Sequence, residues 1–142
     1  MKLSAGEARA RLGAHDHGVL CTVHAERGVD AVPVVYAVDE DGFVGVPVDR
    51  VKPKASPRLQ RQRNLEADPR AALLVEHWDR QDWTRLWWVR AELRWQGDGG
   101  EPAGRAAALA ARLAETFPQY RDRPFSSILL LRVVAVSGWS AR

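Results

Sequence analysis

The sequence predicts a mainly β domain of the α+β kind, a barrel of six or so antiparallel strands with peripheral helices. Three features predict it. Strand-length apolar or alternating stretches recur along the chain, an Asp-Gly hairpin turn joins two of them, and the helical signals fall only in the gaps between them. That order is rich in hairpins and lacks the strand–helix–strand alternation of a parallel sheet.

The elements follow in sequence. Ser4-Ala5-Gly6-Glu7 is a capping box that opens a short helix to about Gly13, and His15–Gly18 leads out of it. Val19–Ala25 alternates as a strand, with Val19, Cys21 and Val23 on one side and Cys21 assigned to the core. After the turn at Glu26-Arg27-Gly28 a second strand covers Ala31–Val38. Pro33 inside it requires an edge, a bulge or an interrupted ladder. Asp39-Glu40-Asp41-Gly42 makes the hairpin turn and Phe43–Val48 the return strand. Ser56 and Pro57 suit the N-cap and first position of a helix that Asp68-Pro69 ends. Ala71–Trp78 reads as a buried strand. Leu86–Trp95 is the cleanest pattern, with Trp87, Val89, Ala91, Leu93 and Trp95 on an apolar face and Trp88, Arg90, Glu92 and Arg94 opposite. A break at Gly97–Gly100 precedes a helix from Pro102 to about Thr116, whose sticky stripe is Leu109, Leu113 and Phe117. Ser127–Val136, apolar on both faces except at Arg132, reads as a central strand.

With 142 residues, 46% hydrophobic and 27% charged, the chain has the composition of one globular domain. Its single cysteine excludes an intramolecular disulfide and fits a reducing cytoplasm. The N-terminus has no apolar signal region, and no run reaches the roughly 20 residues of a membrane span, so a soluble, cytoplasmic protein is expected. The four histidines show no metal-ligand spacing backed by carboxylates or thiolates. Gly-x-Ser-x-Gly, Walker and Rossmann loops are absent, which argues against nucleophilic and phosphoryl-transfer enzymes.

The net charge of +3, from 21 basic and 18 acidic residues, acquires meaning only where it clusters. Arg50, Lys52, Lys54, Arg58, Arg61 and Arg63 occur within 14 residues and no acidic residue stands among them. On its own such a cluster is an ordinary solvated surface. Beside a helix N-terminus and strand ends, it is also how proteins hold phosphate or carboxylate groups. The cluster contains no aromatic residue, which disfavours single-stranded nucleic acid as its partner.

The run from Gly45 to Trp78 resembles the pyridoxamine-phosphate-oxidase-like flavin and deazaflavin reductases, whose fold is the split β-barrel, the FMN-binding fold of that superfamily. The resemblance lies in a strand, a basic loop, a helix and Asn64-Leu65-Glu66-Ala67-Asp68-Pro69-Arg70 leading into Ala71–Val75. Leu86–Arg90, Phe117–Phe125 and Ser137–Trp139 look like the small actinobacterial branch that uses coenzyme F420. The resemblance implies a homodimeric oxidoreductase that transfers a hydride between F420 and a small organic acceptor, with cytoplasmic location and no conventional catalytic constellation. It makes Arg61, eight positions before Pro69, the phosphate ligand, with Lys54 and Arg58 beside it and Lys52 on the phosphate or an acidic tail. It lays the ring along Pro33, Val34, Val35 and Tyr36, puts Pro47, Val48 and Asp49 opposite, and includes Asn64. Trp78, Trp88 and Trp139 belong either to the groove between protomers or to ordinary dimer packing. Tyr36 and His77 are candidate proton donors. FMN in place of F420 is the first alternative, and a non-catalytic F420-, haem- or bilin-binding protein is the second.

Overall fold

In a computed structural model, residues 1–48, 59–97, 104–122 and 127–142 are described. Helix α1 (Ala5–Ala14) starts at the expected capping box. The Ser4 hydroxyl accepts from the Glu7 N–H at 3.1 Å and the Glu7 carboxylate accepts from the Ser4 N–H at 3.0 Å. Strands β1 (His17–His24), β2 (Gly28–Val35), β3 (Ala37–Val38), β4 (Phe43–Val48), β5 (Arg70–His77), β6 (Trp87–Trp95) and β7 (Ser127–Ser140) form one antiparallel sheet in the order β2-β1-β5-β6-β7-β4-β3. The expected Ala31–Val38 strand is divided at Tyr36, so there are seven strands. β2 and β3, consecutive in sequence, stand at opposite edges of the sheet. The sheet therefore curls on itself, and a seam lies where β2 meets β4.

The inner face carries the core: Leu20, Val34, Val44, Val46, Leu73, Val75, Val89, Ala91, Leu93, Leu129 and Leu131. Ala8 and Leu12 of α1 close it from one end. Helix α2 (Gln60–Ala67) adds Leu65. Helix α3 (Arg105–Thr116) packs on the other face of β4, where Leu109 and Leu113 are fully buried; Leu109 touches the position a Cβ on Gly45 would occupy. Helix α4 (Gln119–Asp122) follows it.

Three readings change. The core face of β1 is Leu20 and Thr22, so Val19, Cys21 and Val23 lie on the outer face and Cys21 is half-buried. β5 buries Leu73 and Val75 but leaves Leu74 38% exposed, so it is one-faced rather than buried on both sides. β7 runs on to Ser140 through a bulge. Leu93 pairs Val133 whereas Glu92 pairs Ala135, which leaves Val134 as the extra residue and exchanges the inward and outward positions beyond it.

β6 shows the expected faces, with Val89, Ala91 and Leu93 fully buried and Trp87 and Trp95 packed against the core. The Asp39 carboxylate closes the hairpin by accepting from the N–H groups of Asp41 and Phe43, and Gly42 takes φ +83°.

Helix α2 starts at Gln60 with Leu59 as its cap. The Gln62 side chain accepts from the Leu59 N–H at 2.8 Å, the reciprocal half of a capping box, while Leu59 has no side-chain oxygen to cap the first-turn N–H groups. Ser56, Pro57 and Pro102 lie outside the described residues.

Asp30 of β2 ties these parts together. Its carboxylate accepts from Arg27 at 2.9 Å and from the Asn64 amide at 2.8 Å, and these bonds hold its pKa down to about 2. Asp68 is held at about 2 by Arg70. An unfolded aspartate titrates near 3.9, so both groups stabilise the fold fully above about pH 4 and lose that contribution as pH falls through 2. Denaturant midpoints should therefore fall steadily from about pH 4 to pH 2. Asp30→Asn should be less stable at neutral pH and show a shallower acid slope; an unchanged slope would mean that Asp30 does not titrate as described.

Candidate functional site

An open cleft of about 300 Å³ lies across the seam. One wall is the outer edge of β1 and β2, carrying His17, Gly18 and Pro33-Val34-Val35. Pro47 of β4 forms the other wall, and Arg61 of α2 and Tyr120 of α4 close it. Pro33 pairs Val19 on an edge strand, where its missing N–H costs no ladder bond. Gly18 permits a close approach, since a Cβ there would stand 2.5 Å from the Leu74 carbonyl oxygen.

Arg61 is half-buried and its Nη2 donates to the Pro47 carbonyl at 3.4 Å, so its guanidinium spans from the helix to the far wall. The helix that carries it is fixed by Asn64. That side chain, 4% exposed, donates to Thr22 Oγ1 at 3.0 Å and to Asp30, and accepts from Gln60 at 2.8 Å. His17 Nδ1 lies 2.7 Å from the Asp16 carboxylate, which sets the orientation of its ring.

Of the residues expected in the site, Pro33, Val34, Val35, Pro47 and Arg61 come together. Asp49, Lys52, Lys54 and Arg58 lie outside the described residues. Others fall elsewhere. Tyr36 is 1% exposed and its hydroxyl donates to the Leu12 carbonyl at 2.6 Å. Burial, with the Asp16 carboxylate as a second cause, raises its pKa, so it is a structural phenol and not a proton donor to a ligand. Val48 points into the core, and the Asn64 amide is spent on anchoring.

His77 lines a different cleft, beside Trp87. Trp88 and Trp139 form a cross-strand pair on the outer face of β6 and β7. Neither tryptophan lines the cleft of its own chain. Trp78, 52% exposed, packs on Trp83 at the β5–β6 turn.

Sequence reasoning missed His17, Gly18 and Tyr120. Tyr120 sits in the Phe117–Phe125 stretch that carried part of the resemblance, which was the available signal. Nothing local marks Gly18, whose need is set by a strand over 50 positions away.

Among the described residues no group of three or more His, Cys, Asp or Glu side chains is placed to hold a metal ion, and no helix is long and apolar enough to cross a membrane. An apolar platform, a reaching cation and an aromatic flank suit a planar ligand with a phosphate, and a volume of about 300 Å³ is at the small end for such sites.

Tyr36→Phe should cost about 1–3 kcal/mol of stability, because the Leu12 carbonyl loses its donor, and should leave ligand affinity unchanged. Asn64→Ala should cost a similar amount, roughly 1–3 kcal/mol, and also weaken binding, because it frees the helix that carries Arg61. Urea denaturation beside ligand titration separates the two outcomes.

No protein-family model and no curated protein matches this chain. Solved structures do. A FAD-binding protein from Mesorhizobium loti superposes with TM-score 0.72 at 16% identity, over 97% of this chain and 93% of that one. An FMN-binding protein from Syntrophomonas wolfei gives 0.66 at 16% identity, over 96% and 86%. The haem storage protein HutZ from Vibrio cholerae gives 0.62 at 13% identity, over 94% and 91%. At such identities the likeness concerns the fold: this chain has the split β-barrel fold that those flavin- and haem-binding proteins have.

Proposed function

We propose that this chain is an oxidoreductase that holds a phosphate-bearing tricyclic cofactor in the seam cleft, coenzyme F420 first and FMN second. The observation that carries the reading is the convergence of Arg61 with the Pro33–Val35 platform and Pro47, three segments distant in sequence, around one cleft. Arg61 binds the phosphate and the platform orients the ring. The cofactor, when bound, supplies hydride transfer to or from a small organic acceptor. The chain's own residues bind, orient and exclude water, and the accompanying proton comes from solvent or from His17.

The sequence resemblance favours F420. The flavin-binding neighbours favour FMN, and HutZ motivates haem as a control ligand. Leu74, Val134 and Trp139, each large, apolar and more than a third exposed, share the outer face with Trp88. We propose that a second copy covers this face, bringing Trp88 and Trp139 within reach of the partner cleft.

Titrations with F420, FMN and haemin test the reading. F420 or FMN should bind at micromolar concentration or tighter. Arg61→Ala should weaken that binding by about 1.5–3 kcal/mol, roughly 10- to 150-fold, with little change in stability. Unchanged affinity in Arg61→Ala would overturn the phosphate assignment. Preferential haemin binding would move the protein to a carrier role.

A further inference from the structure

We infer that the cleft between the C-terminal end of α1 and the start of β6 is a second ligand site, for a small molecule bearing a phosphate or carboxylate group. It is independent of the seam. The two clefts share no lining residue, and this one opens at the mouth of the inner face whereas the seam draws on the outer edge of β1 and β2.

The cleft has a volume of about 310 Å³ and its floor is Trp87. Arg11 of α1, Arg85 before β6 and Arg142 after β7 bring three guanidinium groups to it from three elements. Arg11 lies over the indole at 5.0 Å from the ring centre. His15 meets the same indole edge-on at 4.7 Å, and His77 stacks at 6.4 Å. Among the described residues no aspartate or glutamate side chain lines the cleft.

The carboxylate side chains around the cleft face two of its three arginines. Asp79 faces Arg85 at 3.6 Å and Asp82 faces Arg142 at 4.0 Å; both contacts are long and solvent-exposed, so they hold their arginines weakly. Arg11 has no carboxylate within ion-pair distance among the described residues. The C-terminal end of α1 opposes an anion, and Arg11 in its last turn offsets that end.

Unspent polar groups accompany the charge. Ser140, 5% exposed, accepts from the Arg142 N–H at 3.4 Å, while its own hydroxyl proton has no acceptor among the described residues. The Nδ1 atom of His15 is shielded from solvent and meets no hydrogen-bonding partner. Buried polar groups normally find partners, so an unsatisfied one calls for an explanation, and a bound anion or water supplies one. Guanidinium forks with a buried hydroxyl match the oxygens of phosphate or carboxylate.

Inorganic phosphate and malonate, titrated separately at constant ionic strength, are the probes. The readout is the indole N–H and arginine Nε–H resonances in ¹H–¹⁵N spectra, with Trp87→Phe assigning the Trp87 signal. The expected result is a saturable shift at Trp87, weakened on the order of tenfold by Arg11→Gln and by Arg85→Gln, restored in part by Arg11→Lys, and unchanged in Arg61→Ala. The tighter of the two probes tells which of the two oxyanion groups the cleft prefers. Absence of a saturable shift at Trp87 for either probe would overturn the site. So would a shift that disappears in Arg61→Ala and persists in Arg11→Gln, because the anion would then be bound at the seam.

Discussion

Burial of Tyr36 is the constraint on which the remainder depends. It is the single residue between β2 and β3, strands that occupy opposite edges of the sheet. Its backbone N–H donates to the Asp16 carbonyl at 2.9 Å and its hydroxyl to the Leu12 carbonyl, so the crossing point is bonded both to the entry of β1 and to α1. A buried tyrosine is stable only when its hydroxyl is satisfied, and here a helix carbonyl near the end of α1 satisfies it. Curling the sheet about this residue brings β2 against β4 and creates the seam, walled by β1 and β2 on one side and β4 on the other. An edge strand invites pairing with another strand, and Pro33 withholds one donor from that edge.

Strand parity then assigns side chains to the two clefts. On β1 the odd positions face outward, so His17 joins the seam, while Leu20 and Thr22 face the core. On β6 the odd positions face inward, and Trp87 becomes the floor of the other cleft. β7 would present the wrong set of residues at its far end without the bulge at Val134. Leu129, Leu131 and Val133 face inward before it, and Gly138 and Ser140 are buried after it. Gly138 is required there, because a Cβ would stand 2.8 Å from the Trp88 carbonyl oxygen.

The parts legible in the sequence were those whose signal is local. The Ser4–Glu7 box, the Asp39–Gly42 hairpin and the strict alternation of Trp87–Trp95 each contain their own reason. The strand β1 was legible but its inward face was not, because Val19, Cys21 and Val23 form the more apolar side and yet face outward. Thr22 wins an inward place through its hydroxyl, which accepts from an asparagine 42 positions away. Tyr36 and Asn64 were read as ligand contacts because of their place in a motif, and both are spent on holding the barrel. The grouping of Pro33, Pro47 and Arg61 came from resemblance, since no local pattern links three segments joined only by the curl of the sheet.

The polar network beneath α2 explains why a cation can be held at the seam with fixed geometry. Arginine has a long side chain, and ordering it costs entropy that the 3.4 Å bond to Pro47 does not by itself offset. The ordering is instead shared with the backbone that carries it. Leu65 fixes α2 by apolar burial, while Asn64 binds Thr22 of β1 and Asp30 of β2, and Asp30 is in turn held by Arg27 at the β1–β2 turn. The helix is thereby bonded to the same two strands that carry His17 and Pro33–Val35. Cation and platform therefore move as one body, and the bond to Pro47 has only to fix that body against the opposite edge. Apolar packing alone would tolerate small slides of α2, because its energy depends weakly on direction; the directional bonds of a buried amide do not.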